Sequence, residues 1–149
     1  MTSKRIVIAG TFDILHPGHV FLIAEAAKMG EVLVIVARDE NVLRAKGHPV
    51  IVPEKQRLFM VQALKGVSEA ILGNPGPDFI TIIEDLNPDI LLLGPNQNIS
   101  EKEVQNRLQK RDLKTQVMRL DDFFDEYPLS STTKIIEKAF KNRKDRISQ

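Results

Sequence analysis

The chain has 149 residues with 21 Lys and Arg against 20 Asp and Glu, a formal net charge of +1, so no bulk field draws it to nucleic acid or a membrane surface. With 42% hydrophobic and 28% charged residues it has the make-up of one globular domain over residues 1–149, and the absence of Cys excludes a disulfide scaffold and any thiol nucleophile. There is no signal-peptide core and no apolar run of membrane-spanning length, which sets the expectation of a soluble cytoplasmic protein with no nucleic-acid or membrane partner.

Apolar, β-rich runs alternate with helical patterns along the whole chain. Lys4 to Ala9 reads as a buried strand and Gly18 to Met29 as a helix, with Gly30 as its stop. Val32 to Ala37 is apolar on both faces, as a central parallel strand should be. Arg38 to His48 reads as a short helix and a loop. Pro53-Glu54 then opens a helix to about Leu64, with Leu58, Val61 and Leu64 on its buried stripe. Val67 to Leu72 is a third strand, Gly73 to Pro77 a loop, and Asp78 to Leu86 a helix. The fourth strand is Ile90 to Leu93, ended by Gly94-Pro95. Ser100 and Glu103 have the spacing of a capping box for a helix to about Arg111. Gln116 to Leu120 is a fifth strand, and a loop from Asp121 to Leu129 leads to a last helix capped by Ser130-Ser131-Thr132. This is an α/β chain with a parallel sheet covered on both faces.

Two of the three histidines, His16 and His19, fall in one turn where the first strand hands over to the first helix. Three residues apart, they can project on the same side. The opening N–H groups of the helix and its positive dipole end favour an anion there. Gly18 lets a phosphate approach the backbone, and Pro17 fixes φ in the first turn. Two imidazoles in such a place can hold adjacent phosphates of a nucleoside triphosphate and stabilise charge on the transferred group and the leaving pyrophosphate. The competing readings are two solvated histidines or a metal pair; two ligands without Cys do not make a zinc site, so no metal-binding residue is assigned.

Gly10-Thr11-Phe12-Asp13 followed by His16-Pro17-Gly18-His19 resembles the HxGH nucleotidyltransferases, the superfamily of cytidylyltransferases, pantetheine-phosphate and nicotinamide-mononucleotide adenylyltransferases and small archaeal FAD synthases. The resemblance implies a Rossmann-like, doubly wound five-stranded parallel sheet of order 3-2-1-4-5 in a single domain. Its ligand crevice would lie at the switch between the first and fourth strands. It implies catalytic roles for His16 and His19, and a nucleotide-binding turn formed by Gly10, Thr11, Phe12, His16, Gly18 and His19. Gly94 and Asn96 would add nucleotide contacts from the neighbouring turn, with Asn96 standing where relatives often have Asp.

The hydroxyl row before the last helix can cap N–H groups or bind phosphate oxygens. It resembles the superfamily's second motif, which implies triphosphate contacts from Ser131, Thr132 and Thr133. Relatives usually carry a basic residue a few positions later. Here Lys134 comes early and Ile135-Ile136 follow, so the hydroxyls carry over with more weight than Lys134. Lys46 matches a cytidylyltransferase lysine that neutralises triphosphate or acceptor phosphate, a catalytic and acceptor-binding role that suits a flexible point charge. Arg57 aligns with an acceptor-binding arginine, Lys65 more weakly with another basic position, and Asp39 is placed to orient one of these bases. Asp13 either closes an Asx turn or positions His16 or the metal-bound triphosphate, the turn being favoured. Phe123, Phe124 and Tyr127 either pack at the core's edge or stack on a flat acceptor. The basic tail from Lys138 to Arg146 complements a helix C-terminus.

No Ser-His-Asp set, Cys nucleophile or Walker A loop is present, which favours direct in-line transfer over a covalent intermediate. Over nearly its whole length the chain is most similar to archaeal FAD synthases, which implies ATP and FMN as substrates, FAD and pyrophosphate as products, and Mg2+ or another divalent cation carried by the nucleotide. The alternatives are glycerol-3-phosphate cytidylyltransferase, using CTP, and a non-catalytic nucleotide-binding domain. Homodimers are common among relatives, so a homodimer is the assembly the resemblance implies.

Overall fold

The computed structural model describes residues 2–148; residues 1 and 149, the ends of the expected domain, lie outside them. Its centre is a five-stranded, all-parallel sheet in the order β3-β2-β1-β4-β5. The strands are β1 (Arg5–Gly10), β2 (Glu31–Val36), β3 (Glu69–Leu72), β4 (Ile90–Leu93) and β5 (Gln116–Arg119). The helices are α1 (Pro17–Met29), α2 (Asp39–Lys46), α3 (Glu54–Gln62), α4 (Ile80–Leu86), α5 (Glu101–Gln109) and α6 (Thr132–Ile147).

Alternation along the central strands sorts their side chains into two cores. Ile6, Ile8, Val32, Val34, Val36 and Leu92 join Ile23 and Ala26 of α1 and Val61 of α3. Val7, Leu33, Ile35, Leu91 and Leu93 pack with Ile80 and Ile83 of α4 and Val104 and Leu108 of α5. Leu58 and Leu64, expected on the buried stripe of α3, are partly buried against the first core. Burial on both faces is why β2 and β4 are almost uninterrupted apolar runs. β1 pairs with β2 on one side and β4 on the other, so the order of connection reverses there, at the place where open sheets of this kind bind ligands beyond the carboxyl ends of their strands.

The expected elements form, with differences at their ends that have local causes. β3 begins at Glu69 rather than Val67, although Ser68 N–H already donates to Val32 O at 2.9 Å. α4 starts at Ile80 because the Asp78 carboxylate takes Ile80 N–H at 3.0 Å and the Thr81 hydroxyl at 2.6 Å, a local alternative to a further helical turn. Ser100 caps α5 by accepting Glu103 N–H at 3.2 Å. The reciprocal box forms instead at α1, where His16 and His19 play the two parts. Gly30 does end α1, for a reason of space: its φ of 168° is extended backbone, and a Cβ there would stand 2.1 Å from Lys4 O. α6 caps on Ser131, whose hydroxyl accepts Lys134 N–H at 3.1 Å, and it buries none of its residues.

Candidate active site

The turn from Gly10 to His16 leaves β1 by a sharp bend. Phe12 adopts φ of 53°, uncommon outside glycine, and its ring is buried in the first core. Gly10 is required by that ring, since a Cβ there would lie 3.0 Å from Phe12 Cε2. The Phe12 side chain therefore anchors the turn from below, and only its backbone is open to a nucleotide.

His16 is the N-cap of α1, with extended backbone at φ −142° and ψ 169°. Its Nδ1 accepts Gly18 N–H at 3.1 Å, and His16 N–H donates to Nδ1 of His19 at 3.4 Å. Both imidazoles thus use Nδ1 as an acceptor, which leaves a hydrogen on Nε2 at the far edge of each neutral ring. The rings stack with centroids 3.7 Å apart, and Phe12 packs on His19 at 5.0 Å. Burial lowers the pKa of His16. Burial, then the charges of His16 and Lys46, lowers that of His19 to about 3.

One expectation is corrected here. The opening amides of α1 are not free donors. Pro17 has none, Gly18 N–H goes to the His16 ring, and His19 and Val20 N–H go to His16 O at 3.0 and 3.4 Å. The imidazole Nε2–H groups take over as the outward donors, with the Gly18 amide behind the His16 ring. Unpaired amides do stand next to this turn, at the start of α6: among the described residues, Thr132 and Thr133 N–H donate to no group of the chain. That start is tied to the histidine turn, because Thr132 Oγ1 donates to Ile14 O at 3.2 Å and a Cβ on Gly18 would lie 3.3 Å from Ser130 O. Ser131 is the cap, and Thr133 is exposed beside it.

The acceptor residues divide. Lys46 closes α2 with its side chain exposed, and its charge acts on His19. Arg57 is 1% exposed, so its side chain offers no surface to a ligand. Its Nε donates to Val52 O, its Nη1 to both Thr11 O and Ala37 O, all at 2.7 Å, and its Nη2 to Asp39 Oδ1 at 2.5 Å. Four of its five N–H groups thereby brace the histidine turn, the end of β2 and the loop before α3, a use for which its planar fork is suited. Asp13 serves the same bracing in place of an Asx turn. Its carboxylate accepts Ile51 N–H at 2.9 and 3.0 Å and Val52 N–H at 2.7 Å.

On the β4 side, Asn96 is exposed, while its neighbour Gln97 joins the two strands of the switch. Gln97 Nε2 donates to Ala9 O at 2.8 Å, and Gly94 N–H donates to Gln97 Oε1 at 2.7 Å. Arg119, at the end of β5, holds Gly94 O at 2.7 Å and Gln97 O at 3.0 Å. Sequence reasoning missed both; the one available signal was a charged residue ending a strand beside a polar turn. Phe124 packs between Phe21 of α1 at 5.3 Å and Tyr127 at 5.8 Å. Among the described residues no cluster of three or more His, Asp or Glu side chains forms a metal cage, and no helix is long and apolar enough to cross a membrane.

The sequence model of a family described as cytidylyltransferase-like matches residues 7–138. A protein named FAD synthase in Methanopyrus kandleri is 46% identical over 141 residues, covering 92% of this chain and 92% of its own. Another of that name in Methanobrevibacter smithii is 42% identical over 142 residues, covering 93% and 92%. Among solved structures, one described as the lipopolysaccharide core biosynthesis protein from Thermoplasma volcanium superposes with a TM-score of 0.77 at 36% identity, covering 83% of this chain and 99% of that one.

Proposed function

The chain belongs to the cytidylyltransferase-like family and is a nucleotidyltransferase, and we propose that it is an FAD synthase that transfers the AMP moiety of ATP to FMN with release of pyrophosphate. Identity of 42–46% to proteins named FAD synthase, over more than nine-tenths of both chains, is the observation that carries this choice of substrates. The stacked histidine pair supports the chemistry.

In this reading a phosphate oxygen of FMN attacks the α-phosphorus of ATP in line. A new P–O–P bond forms as the α,β bridge breaks, and its electron pair leaves with pyrophosphate. The Nε2–H groups of His16 and His19 donate to polyphosphate oxygens and strengthen their hold as charge moves onto the leaving group. Thr132 and Thr133 amides and the Ser131 and Thr133 hydroxyls receive the far phosphates at the start of α6, while the Thr132 hydroxyl stays on Ile14 O. The backbone of Gly10, Thr11, Phe12 and Gly18 shapes the nearer wall, and Gly94 and Asn96 border the nucleoside. Lys46 neutralises the approaching acceptor phosphate, and the Asp39 oxygen not held by Arg57 faces the acceptor. Arg57 acts by positioning these groups, in place of direct contact. A divalent cation such as Mg2+ carried by the triphosphate would offset its charge. A homodimer belongs to the same reading, supported by the exposure of Ile136, Phe140 and Ile147 along α6.

The test is to incubate the protein with Mg2+, either ATP or CTP, and either FMN or glycerol 3-phosphate. FAD and pyrophosphate from ATP with FMN is the expected result. CDP-glycerol would move the assignment to the cytidylyltransferase alternative, and no pyrophosphate from any pair would leave a non-catalytic nucleotide-binding domain.

A further inference from the structure

Leu43 and Ile51 are large apolar side chains left 51% and 57% exposed, and both line one depression. The depression measures about 350 Å3 and is otherwise lined by Pro49, Val50 and Pro53, with Asp39 and Glu40 at its edge. Its walls are braced. Asp13 holds Ile51 and Val52 by their amides, and Arg57 holds Val52 O, so the loop cannot fold over Leu43 without breaking these hydrogen bonds. The brace starts in the histidine turn itself, which fixes the depression relative to His16 and His19. On α2, Leu43 and Lys46 are three residues apart and share a face.

We propose that this depression is the subsite for the planar isoalloxazine ring of the acceptor, laid between Leu43 and Ile51 with its phosphate directed past Lys46 toward the histidines. The inference rests on the FAD synthase reading and adds to it where the ring sits and how the acceptor is chosen. The apolar dimethylbenzenoid end of the flat ring covers two side chains that water otherwise wets. The carboxylates of Asp39 and Glu40 can accept from a ring N–H or from ribityl hydroxyls at the rim. Glycerol 3-phosphate would leave the depression empty. The neighbouring hollow of about 640 Å3 suits a ring less, since Arg38, Glu54 and Lys55 line it and Arg38 is already paired with Glu54 and Gly73 O. Phe124 is likewise taken up by Phe21 and Tyr127.

The experiment uses the full chain and the variants Leu43→Ser, Ile51→Ser and Phe123→Ser, with Phe59→Ser as a control at an exposed position outside the depression. KM values for FMN and ATP are measured by FAD formation, and binding of riboflavin, the ring without the phosphate, by flavin fluorescence anisotropy. Leu43→Ser and Ile51→Ser should each raise the KM for FMN and the Kd for riboflavin about tenfold. Their KM for ATP should stay within about twofold of the unaltered protein, as should every constant of Phe59→Ser. Unchanged FMN and riboflavin constants in both variants, or a loss carried by Phe123→Ser instead, would overturn the subsite while leaving FAD synthesis standing. If the unaltered protein makes no FAD, the parent reading fails first and takes the subsite with it.

Discussion

His16 combines two tasks that single substitutions can separate. Its Nδ1 caps α1, and its Nε2–H is left for the polyphosphate. His16→Ala should cost about 1 kcal/mol of stability through the lost cap and lower turnover about 100-fold or more. His16→Asn restores a capping oxygen, so it should recover the stability and not the rate. Thermal melts and FAD-formation rates on the two variants check both halves. His19 is linked to pH with a definite sign. The unfolded chain takes up a proton near pH 6.5, whereas the folded ring resists until about pH 3, so the unfolded state binds more protons in between. Stability is therefore present above pH 6.5 and is lost as the pH falls through that window. By pH 5 this amounts to roughly 1–2 kcal/mol, and it should be missing from the difference between pH 7.5 and pH 5 melts of His19→Asn. The histidine pair was legible in the sequence because two scarce residues share a strand-to-helix turn. Their tautomer was not, because it depends on which amide each Nδ1 meets.

The elements meet at braces that periodicity does not reveal. Leu58 and Val61 on α3, with Leu64 just past its end, were legible as an apolar stripe, yet the fully buried side chain at the start of that helix is Arg57. Its partners are three carbonyls and one carboxylate from segments 5 to 46 residues away, so no local pattern could announce them. Arg57→Lys keeps the charge and loses the fork. It should destabilise the fold by about 3 kcal/mol, visible in urea unfolding, and lower activity beyond what the melt explains, because the histidine turn and the acceptor loop lose their common strut. Gln97 and Arg119 play the corresponding part between β1, β4 and the turn after β4. Asn96 drew notice from a family pattern, and the side chain that bonds across the switch is one residue further on.

Across the whole chain, the alternation of buried strands with amphipathic helices made the α/β class legible. Strand order came from resemblance, since nothing in periodicity says that β4 inserts beside β1. The sheet supports that order in all four pairings. Its consequence is convergence: residues from the first turn, α2 and the start of α6, up to 118 positions apart, gather at the carboxyl end of β1. A crystal structure of the protein with Mg2+ and a non-hydrolysable ATP analogue tests that convergence most directly. The account predicts polyphosphate oxygens about 3 Å from Nε2 of both His16 and His19, with the terminal phosphates against the amides of Thr132 and Thr133. A triphosphate bound elsewhere, with both Nε2 atoms facing only water, would contradict it.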